Sequence, residues 1–434
     1  MRFLILILFW VNLFAVSVTY YGGAEEVDGT MALVEYKNTK VLIDAGAHIN
    51  GKNDIPFSVK NIDAVIITHA HTDHIGRLLK LYKKGFRGKI YMTSPTAKLS
   101  KIMLEMQNRY AKNSLPSIQP VTKLFRIVPF YKKTKIKDIT FEYFPAKHIP
   151  GSASIMIFAN KKLLFSGDLG NRIGIFQRLD IKAPKADVLF IETTYGDFVR
   201  KNIKCEFKEF QNTIAENINS KIIWIPVFAL DRAQKILYEI GLLFQKGLIP
   251  QNTKIYLLSP TASKITNSYI NNPNWIDNKK AIPTLENTYF RSNEFLKTKY
   301  IKKLKPPVII LSTSGMINAA NSLRLLPKFI SRKVVLLLFV GYQSPESYGG
   351  KIQSGENTIK INDKKYTVNL KYKTFHIFSA HGDAKDIDYW LSNNKNSKIF
   401  LVHGDLDSLV KRKDDLTSKG FSVNIVKIYH KYTF

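Results

Sequence analysis

The chain has very little cysteine: Cys205 is the only one among its 434 residues. A single thiol excludes a disulfide within the chain and any metal site built from several cysteines. A metal centre in this protein must therefore use histidine, aspartate or glutamate as its ligands.

Acidic residues are also scarce, since 34 Asp and Glu stand against 65 Lys and Arg and give a net charge of +31. Such an excess favours a polyanionic partner such as nucleic acid, an anionic membrane or an acidic glycan. The alternative is a compositional bias, because the chain is rich in Lys, Asn and Ile together. The hydrophobic fraction of 45% is typical of a globular protein, and the length suits two or three domains.

Long apolar runs are absent except at the start, where Arg2 precedes a run from Phe3 to Ala15. The small residues at 15–17 then offer a cleavage site, so we expect residues 1–17 to be a secretory signal peptide. Export would place the protein in the periplasm or outside the cell, with no stable membrane insertion after cleavage. An uncleaved anchor or a misassigned start codon are the alternatives, and without export the protein would be cytoplasmic.

The order of predicted elements divides the chain into three parts. Closely spaced strands over 18–200 predict a mixed or antiparallel sheet. Residues 201–348 instead alternate strands and helices, which predicts a mostly parallel sheet in an inserted domain. Strands are expected there at 222–227, 254–258, 308–312 and 333–340, helices at 206–219, 233–244, 261–270 and 318–329, and a polar Asn- and Pro-rich stretch at 271–287. The β-rich character returns over 349–434.

Four potential metal ligands follow one apolar strand, Asp63 to Thr68, within six residues. They are His69, His71, Asp73 and His74. Imidazole and carboxylate groups at this density suit zinc or a similar metal. Two histidines alone would often mean only a polar strand face, but four such groups after a buried strand predict a metal site.

Other polar residues repeat this arrangement at strand ends or in loops next to glycines. The carboxylates are Asp44, Asp168 and Glu192, and the histidines are His148, His381 and His403. The six histidines at these places (His69, His71, His74, His148, His381 and His403), together with Asp73 and Asp168, could supply the seven or eight ligands of a two-metal site. Two adjacent metals are a common arrangement in enzymes that hydrolyse phosphodiesters.

The segment His69-Ala70-His71-Thr72-Asp73-His74 resembles the HxHxDH motif of the metallo-β-lactamase superfamily. Later segments resemble one branch of it, the β-CASP nucleases. In that branch Glu192 matches motif A, His381 in Ser-Ala-His-Gly-Asp matches motif B, and His403 in Leu-Val-His-Gly-Asp matches motif C. The resemblance covers nearly all of the chain after residue 16. It implies an α/β architecture: an αββα metallo-β-lactamase fold with an inserted α/β parallel-sheet β-CASP domain.

The resemblance also implies a role for each site residue. One zinc ion would be held by His69, His71 and His148, and a second by Asp73, His74 and His403, with Asp168 bridging the two. Asp44 would support the ligands from behind. Asp73, Glu192 and His381 are the expected catalytic residues. His381, oriented by Glu192, would protonate the leaving 3′ oxygen or hold the scissile phosphate.

Three residues of the inserted domain are expected to contact substrate. Arg232 and Gln234 lie in Asp-Arg-Ala-Gln, where relatives often have Gly-Arg-x-Gln, and Ser314 opens a Ser-Gly-Met segment. The relatives' glycine is replaced by Asp231, and segments after Met316 also differ from those of the family. These differences favour an altered substrate preference with the metal chemistry intact.

The function implied is a zinc-dependent phosphodiesterase that cleaves single-stranded RNA, as an endonuclease, a 5′-exonuclease or both, by a two-metal hydroxide mechanism. A homodimer is possible. If the leader directs export, a nuclease acting on DNA or on mixed nucleic acids is the better form of this hypothesis. A small-ester metallo-hydrolase is a weaker alternative, because it would need neither motif B nor the charge of +31. A nucleic-acid-binding protein with a structural metal is weaker still.

Overall fold

A computed structural model describes residues 15–48, 51, 53–111 and 114–434. The chain forms two compact units, one comprising the residues up to Val199 together with His381–Phe434, and the other Arg200–Ala380. The first boundary lies next to the predicted 200/201. The second lies at 380/381 and not at 348/349, because Lys371–Thr374 pairs in parallel with Val335–Phe339 and so extends the sheet of the inserted unit.

The predicted leader falls mostly outside the described residues, since 1–14 are not among them. Its last residues belong to the fold. Val16 is fully buried, and Ser17 begins the strand Ser17–Tyr20, where it pairs with Glu35 on one side and Thr433 on the other. Cleavage after Ser17 would therefore remove part of a sheet strand. None of the helices in the described part of the chain combines the length and the apolar character needed to cross a bilayer.

Two mixed sheets form the first unit. The first sheet has the strand order Lys431–Thr433, Ser17–Tyr20, Ala32–Tyr36, Thr39–Ile43, Ala64–Ile66, Lys89–Met92, Phe125–Ile127. The second has the order Ser422–Ile425, Lys398–Val402, Val188–Glu192, Lys162–Phe165, Ala153–Phe158, Ile139–Pro145, Thr134–Ile136.

The two sheets share one apolar core. Val41 and Ile43 of the first sheet belong to the same buried cluster as Leu163, Phe165 and Phe190 of the second. Side chains on a strand alternate between the two faces, so the intervening residues point outwards. On the second sheet these include Leu164, Leu189 and Leu401, which pack in another cluster with Trp390 and Leu409 of two helices. The result is the αββα arrangement that the resemblance implied.

The helices of the first unit follow the strands that they cover. Ser94–Tyr110 begins with Thr93 as its N-cap, where Oγ1 accepts from the Thr96 amide, and Pro95 suits the first turn because its missing N–H is not needed there. The α-helices are Thr72–Ile75, Leu78–Lys83, Ser94–Tyr110, Ile118–Thr122, Ala384–Leu391 and Leu406–Ser418, with a 3₁₀ turn at Val59–Asn61.

The inserted unit is built on a parallel sheet with the strand order Ser292–Asn293, Lys254–Leu258, Val308–Ser312, Ile222–Pro226, Val335–Phe339, Lys371–Thr374. Its central strand buries Trp224, which packs on Phe329 and donates from Nε1 to Ser312 Oγ at 2.9 Å. The helices are Ile203–Asn217, Arg232–Gln245, Pro260–Ile270, Ile282–Phe290, Thr298–Ile301, Ala320–Phe329 and Tyr348–Gln353, with 3₁₀ turns at Pro273–Trp275 and Lys279–Ala281 and a hairpin of Thr358–Ile361 and Lys364–Thr367.

One helix of this unit runs through the stretch that the sequence indicated only as polar. Ile282–Phe290 buries Ile282, Leu285 and Tyr289, which recur at intervals of three and four and so share one helix face. Its proline lies in the first turn, where it favours a helix start. The surrounding Asn and Lys residues obscured this short apolar stripe in the sequence.

The ring of Phe190 occupies the centre of the shared core, 4.8 Å from the ring of Phe165 and 5.3 Å from that of Phe400 between centroids. We expect Phe190→Ala to lower the free energy of unfolding by about 3–5 kcal/mol, because truncation leaves a cavity between two sheets. Chemical denaturation measures this loss. The matched variant Phe290→Ala removes a ring that is 69% exposed and should cost about 0.5 kcal/mol or less. Equal losses in both variants would contradict the assigned core.

Candidate metal centre

The candidate site lies where parallel strands of both sheets end. Thr39–Ile43 and Ala64–Ile66 run in parallel, with Ile43 opposite Ile66, so Asp44 and the His69 segment leave the first sheet side by side. In the second sheet Val188–Glu192 lies between two parallel neighbours, Lys162–Phe165 and Lys398–Val402. Asp168, Glu192 and His403 therefore emerge at one edge, as strand ends in parallel sheets require.

One group of side chains gathers around His71. Its Nδ1 lies 3.0 Å from Nε2 of His69 and 3.2 Å from Nε2 of His148. Asp168 Oδ2 lies 3.4 Å from His69 Nε2 and 3.7 Å from His148 Nε2. Potential ligand atoms of these four residues all lie within 4.8 Å of one another, so they can hold one metal ion.

A second group lies on the other side of Asp168. His74 Nε2 is 3.2 Å from Asp168 Oδ1 and 3.7 Å from Asp73 Oδ2. His403 Nε2 approaches Asp73 Oδ2 to 3.4 Å. The ligand atoms of these four residues also lie within 4.8 Å of one another. The two groups share Asp168, and each oxygen of its carboxylate faces a different group.

The hydrogen bonding of this cluster shows whether its residues fit a metal. Among the described residues neither oxygen of Asp168 accepts a hydrogen bond, although the side chain is 1% exposed. Nε2 of His74 and Nε2 of His403 are buried and form no hydrogen bond there either. A buried carboxylate and imidazole nitrogens without such partners carry a large desolvation cost, which coordination of a cation removes. The donor set therefore fits divalent metal ions that accept nitrogen and oxygen ligands.

Asp44 supports the second group from behind. Its Oδ2 lies 2.7 Å from His74 Nδ1 and accepts from Thr68 Oγ1, while Oδ1 accepts from the Thr68 amide at 2.7 Å. A carboxylate that accepts from Nδ1 leaves Nε2 of the ring facing the metal position. The backbone of Asp44 has a φ of +61°, a conformation that aspartate tolerates better than most residues.

Thr194 supports His403 in the same way, and the sequence did not single it out. Its Oγ1 lies 2.9 Å from His403 Nδ1, which directs Nε2 towards Asp73. Thr194 follows Glu192 by two residues in the Glu-Thr-Thr segment, so its place in that motif was the available signal. A threonine alone does not mark a functional site in a sequence.

Glu192 and His381 form a pair next to the metal cluster. Glu192 is 1% exposed, and its Oε1 lies 3.0 Å from His381 Nδ1 and also accepts from the Leu169 amide at 2.9 Å. Its Oε2 accepts from the Thr194 amide. With Nδ1 directed at Glu192, His381 turns Nε2 towards Asp168, 3.8 Å from Oδ2. A capping box between Asp383 and Asp386 fixes the chain immediately after this histidine.

The two groups differ in protonation when no metal is bound. Burial holds the pKa of His69 well below its usual range and lowers that of His71. Burial also lowers the pKa of His403, but the charge of Asp168 and the contact with Asp73 outweigh it and raise the pKa to about 9. Burial raises the pKa of Asp73, whereas the charge of His74 and the contact with His403 bring it down to about 2. His69 and His71 are therefore neutral at neutral pH, whereas His403 of the second group is protonated.

The three residues predicted to contact substrate lie in the inserted unit. Gln234 is fully buried, and its amide donates to the carbonyls of Ala229 and Ala262 and to Thr266 Oγ1. Because its amide group forms these buried hydrogen bonds, Gln234 has a structural role and does not make the predicted contact with substrate. Arg232 donates to the Val340 carbonyl. Ser314 is partly exposed, and its hydroxyl donates to Asn318 Oδ1 at 2.6 Å.

Known family models match three stretches of the chain. The Anti-Pycsar protein Apyc1 model matches residues 22–229, the Beta-Casp domain matches residues 233–352, and the Zn-dependent metallo-hydrolase RNA specificity domain matches residues 365–426. The first match contains the cluster from His69 to Glu192, and the third contains His381 and His403.

Two curated relatives are similar along nearly their whole length. "Ribonuclease TTHA0252" of Thermus thermophilus is 28% identical over 425 residues, which cover 94% of this chain and 97% of the relative. "RNase J-like protein" of Methanocaldococcus jannaschii is 32% identical over 412 residues, which cover 90% and 93%. A crystal structure of a protein of unknown function from Enterococcus faecalis V583 has a TM-score of 0.56, covers 97% of this chain and 100% of its own, and is 12% identical, so it supports the fold alone.

We expect the metal-free protein to release protons when Zn²⁺ is added at about pH 7, because His403, with a pKa of about 9, must lose its proton before it can bind a metal. Calorimetric titration in two buffers of different ionisation enthalpy measures the protons released. Zinc affinity should rise between about pH 6 and pH 8, and less steeply in His403→Ala. Equal heats in both buffers would contradict the assigned protonation of His403.

Proposed function

The chain belongs to the β-CASP family of metallo-β-lactamase-fold nucleases, and we propose that it hydrolyses phosphodiester bonds in single-stranded RNA with two zinc ions. The position of Asp168 between the two groups carries the proposal, because its two oxygens face two separate sets of ligands. His69, His71 and His148 would hold one ion, and Asp73, His74 and His403 the other.

The ligand chemistry supports zinc. Both groups offer imidazole nitrogen and carboxylate oxygen, the donors that zinc takes when cysteine is absent. When bound, a pair of such ions lowers the pKa of coordinated water and stabilises negative charge on a phosphate under attack. Asp44 and Thr194 hold the rings of His74 and His403 in the orientation that this requires.

His381 supplies the proton for the leaving group. Glu192 accepts from Nδ1, so a protonated His381 can donate only from Nε2, which faces Asp168. As attack by water forms a new bond to phosphorus and the water releases one proton to solvent, the bond from phosphorus to the 3′ oxygen breaks, and Nε2 transfers its proton to that oxygen. The products are a 3′-hydroxyl on one fragment and a 5′-phosphate on the other. Glu192 orients the ring and balances its positive charge.

Two observations support RNA as the substrate. The relatives that align along nearly their full length carry the names ribonuclease and RNase J-like protein, and residues 365–426 match a domain described as an RNA specificity domain. The net charge of +31 suits a polyanion. A small-ester substrate would use neither the charge nor the inserted unit.

We expect His381→Ala to keep its metal content but to lose about 10²- to 10⁴-fold in the rate of RNA cleavage, the contribution of a general acid. Cleavage of end-labelled single-stranded RNA gives the rate, and elemental analysis gives the metal content. The matched control is His376→Ala, an exposed histidine of the inserted unit, which should cleave like the parent chain. Unchanged cleavage by His381→Ala would remove its assigned role.

Removal of the metal provides a second test. Incubation with EDTA should abolish cleavage, and Zn²⁺ should restore it. The reason is that the buried carboxylate of Asp168 and the buried histidine nitrogens are suited to bind a cation. Elemental analysis of the restored protein should give two zinc ions per chain. Failure of zinc to restore activity, or a stoichiometry of one, would overturn the two-zinc assignment.

A further inference from the structure

One surface segment of the inserted unit combines exposed aromatic rings with unpaired positive charge. This edge segment comprises residues 290–305 and contains the outermost strand of the parallel sheet, Ser292–Asn293. It carries six cations, Arg291 and five lysines, and one acidic residue, Glu294. Its aromatic residues Phe290, Phe295 and Tyr300 recur every five positions.

The exposure of these rings is built into the fold. Leu296 and Ile301 are 4% and 0% exposed and belong to the core cluster of the unit, so they fix the residues beside them at the surface. Arg332 also holds the segment, because its guanidinium donates to the carbonyls of Ile301 and Leu304. The edge segment is therefore attached to the core at several points.

Phe290 and Phe295 are both 69% exposed, the highest values among the large apolar side chains of the described residues, and Tyr300 is 46% exposed. A single exposed ring is ordinary at a protein surface. Three rings within eleven residues, on a segment anchored by its neighbours, form a surface on which planar groups can stack.

Four lysines of the segment have no carboxylate partner in the part of the chain that the structure describes. Lys297, Lys302, Lys303 and Lys305 are exposed, and none of them pairs with a carboxylate of the described residues. Lys299 lies over the Tyr300 ring, 5.1 Å from its centroid. The only acid of the segment, Glu294, accepts a hydrogen bond from Tyr289 at 2.8 Å.

We propose that the edge segment is a second binding site for single-stranded RNA, outside the metal centre, which holds the length of the substrate that is not being cleaved. Bases stack on Phe295 and Tyr300, and the lysines neutralise the phosphates between them. This combination of a cationic track and aromatic platforms binds single strands with little sequence preference. The choice of RNA rests on the proposed function, whereas the stacking and charge do not.

The chemistry of the segment favours this occupant over two others. A second copy of the chain would bring the same lysines against each other in a symmetric contact and would be repelled. An anionic membrane would use both the charge and the apolar rings, but it requires them on separate faces, whereas Lys297 and Lys299 lie between Phe295 and Tyr300 along this segment. A nucleic acid strand uses both features.

The first test removes the stacking and keeps the charge. In a His381→Ala background, which should bind RNA but cut it only slowly, we expect the added pair Phe295→Ala and Tyr300→Ala to weaken binding of an RNA of about 30 nucleotides by tenfold or more. Fluorescence anisotropy measures the affinity. Phe295→Tyr with Tyr300→Phe keeps both rings and should bind like the parent. Unchanged binding by the alanine pair would overturn the proposal.

The second test removes charge and measures the effect of salt. Lys302→Gln with Lys303→Gln should reduce the slope of log affinity against log salt by about 1.4, since each phosphate contact on a single strand contributes about 0.7. The matched control is Lys364→Gln with Lys365→Gln, two exposed lysines in the hairpin of the same unit, which should leave the slope unchanged. Equal slopes in the two pairs would contradict the assigned phosphate contacts.

Cleavage kinetics separate this site from the metal centre. With His381 intact, the alanine pair should raise KM for the RNA of about 30 nucleotides without changing kcat, and should leave cleavage of a strand of about 4 nucleotides unaffected. A parent chain that cleaves no RNA would refute the proposed function and leave the binding measurements valid. If the alanine pair loses binding to phosphatidylglycerol vesicles while its RNA binding stays intact, the edge segment binds a membrane. If it loses self-association instead, the edge segment binds a second copy of the chain.

Discussion

The buried Asp168 carboxylate is the constraint on which the rest of the site depends. Both of its oxygens lack a hydrogen bond among the described residues, and histidines surround it on both sides. An isolated buried carboxylate is unstable unless positive charge compensates it. Without metal, protonated His403 and His74 supply that charge, and the pKa of both histidines is raised. With metal, the cations replace those protons, so protonation and metal binding are alternative ways to neutralise one buried charge.

The sheets provide the geometry for this constraint. Parallel pairing places Asp44 beside the His69 segment in one sheet and Asp168, Glu192 and His403 along one edge of the other. The apolar core between the sheets, which contains Phe165 and Phe190, holds these edges at a fixed separation. Each ligand then needs only a local support, as Asp44 gives to His74 and Thr194 gives to His403. Long-range pairing determines which residues meet, and short-range hydrogen bonds determine which ring nitrogen faces the metal.

The sequence predicted the components of the site better than their surroundings. Asp168 and His403 stood out because each follows an apolar strand, and His148 because it is one of six histidines at strand ends or in glycine-bounded loops. The structure gathers all three around the His69 cluster. Thr194 escaped notice because a threonine hydroxyl becomes informative only when an imidazole lies within hydrogen-bonding distance. Gln234 was predicted to contact substrate from its motif, yet its amide binds buried carbonyls, which depends on packing that no short motif encodes. The strand Lys371–Thr374 was assigned to the wrong unit for the same reason, since its partner Val335–Phe339 lies far away in sequence.

The order of the ligands along the chain has a consequence for how the protein is made. His69 to Asp168 leave the ribosome early, the inserted unit follows, and His403 comes at the end of a strand that lies inside the second sheet between Val188–Glu192 and Ser422–Ile425. The second group of ligands is therefore incomplete until the inserted unit has been synthesised and that strand has joined the sheet. A partly synthesised chain holds the residues of one position but not of both. Assembly of the second group of ligands thus requires residues from both sides of the inserted unit.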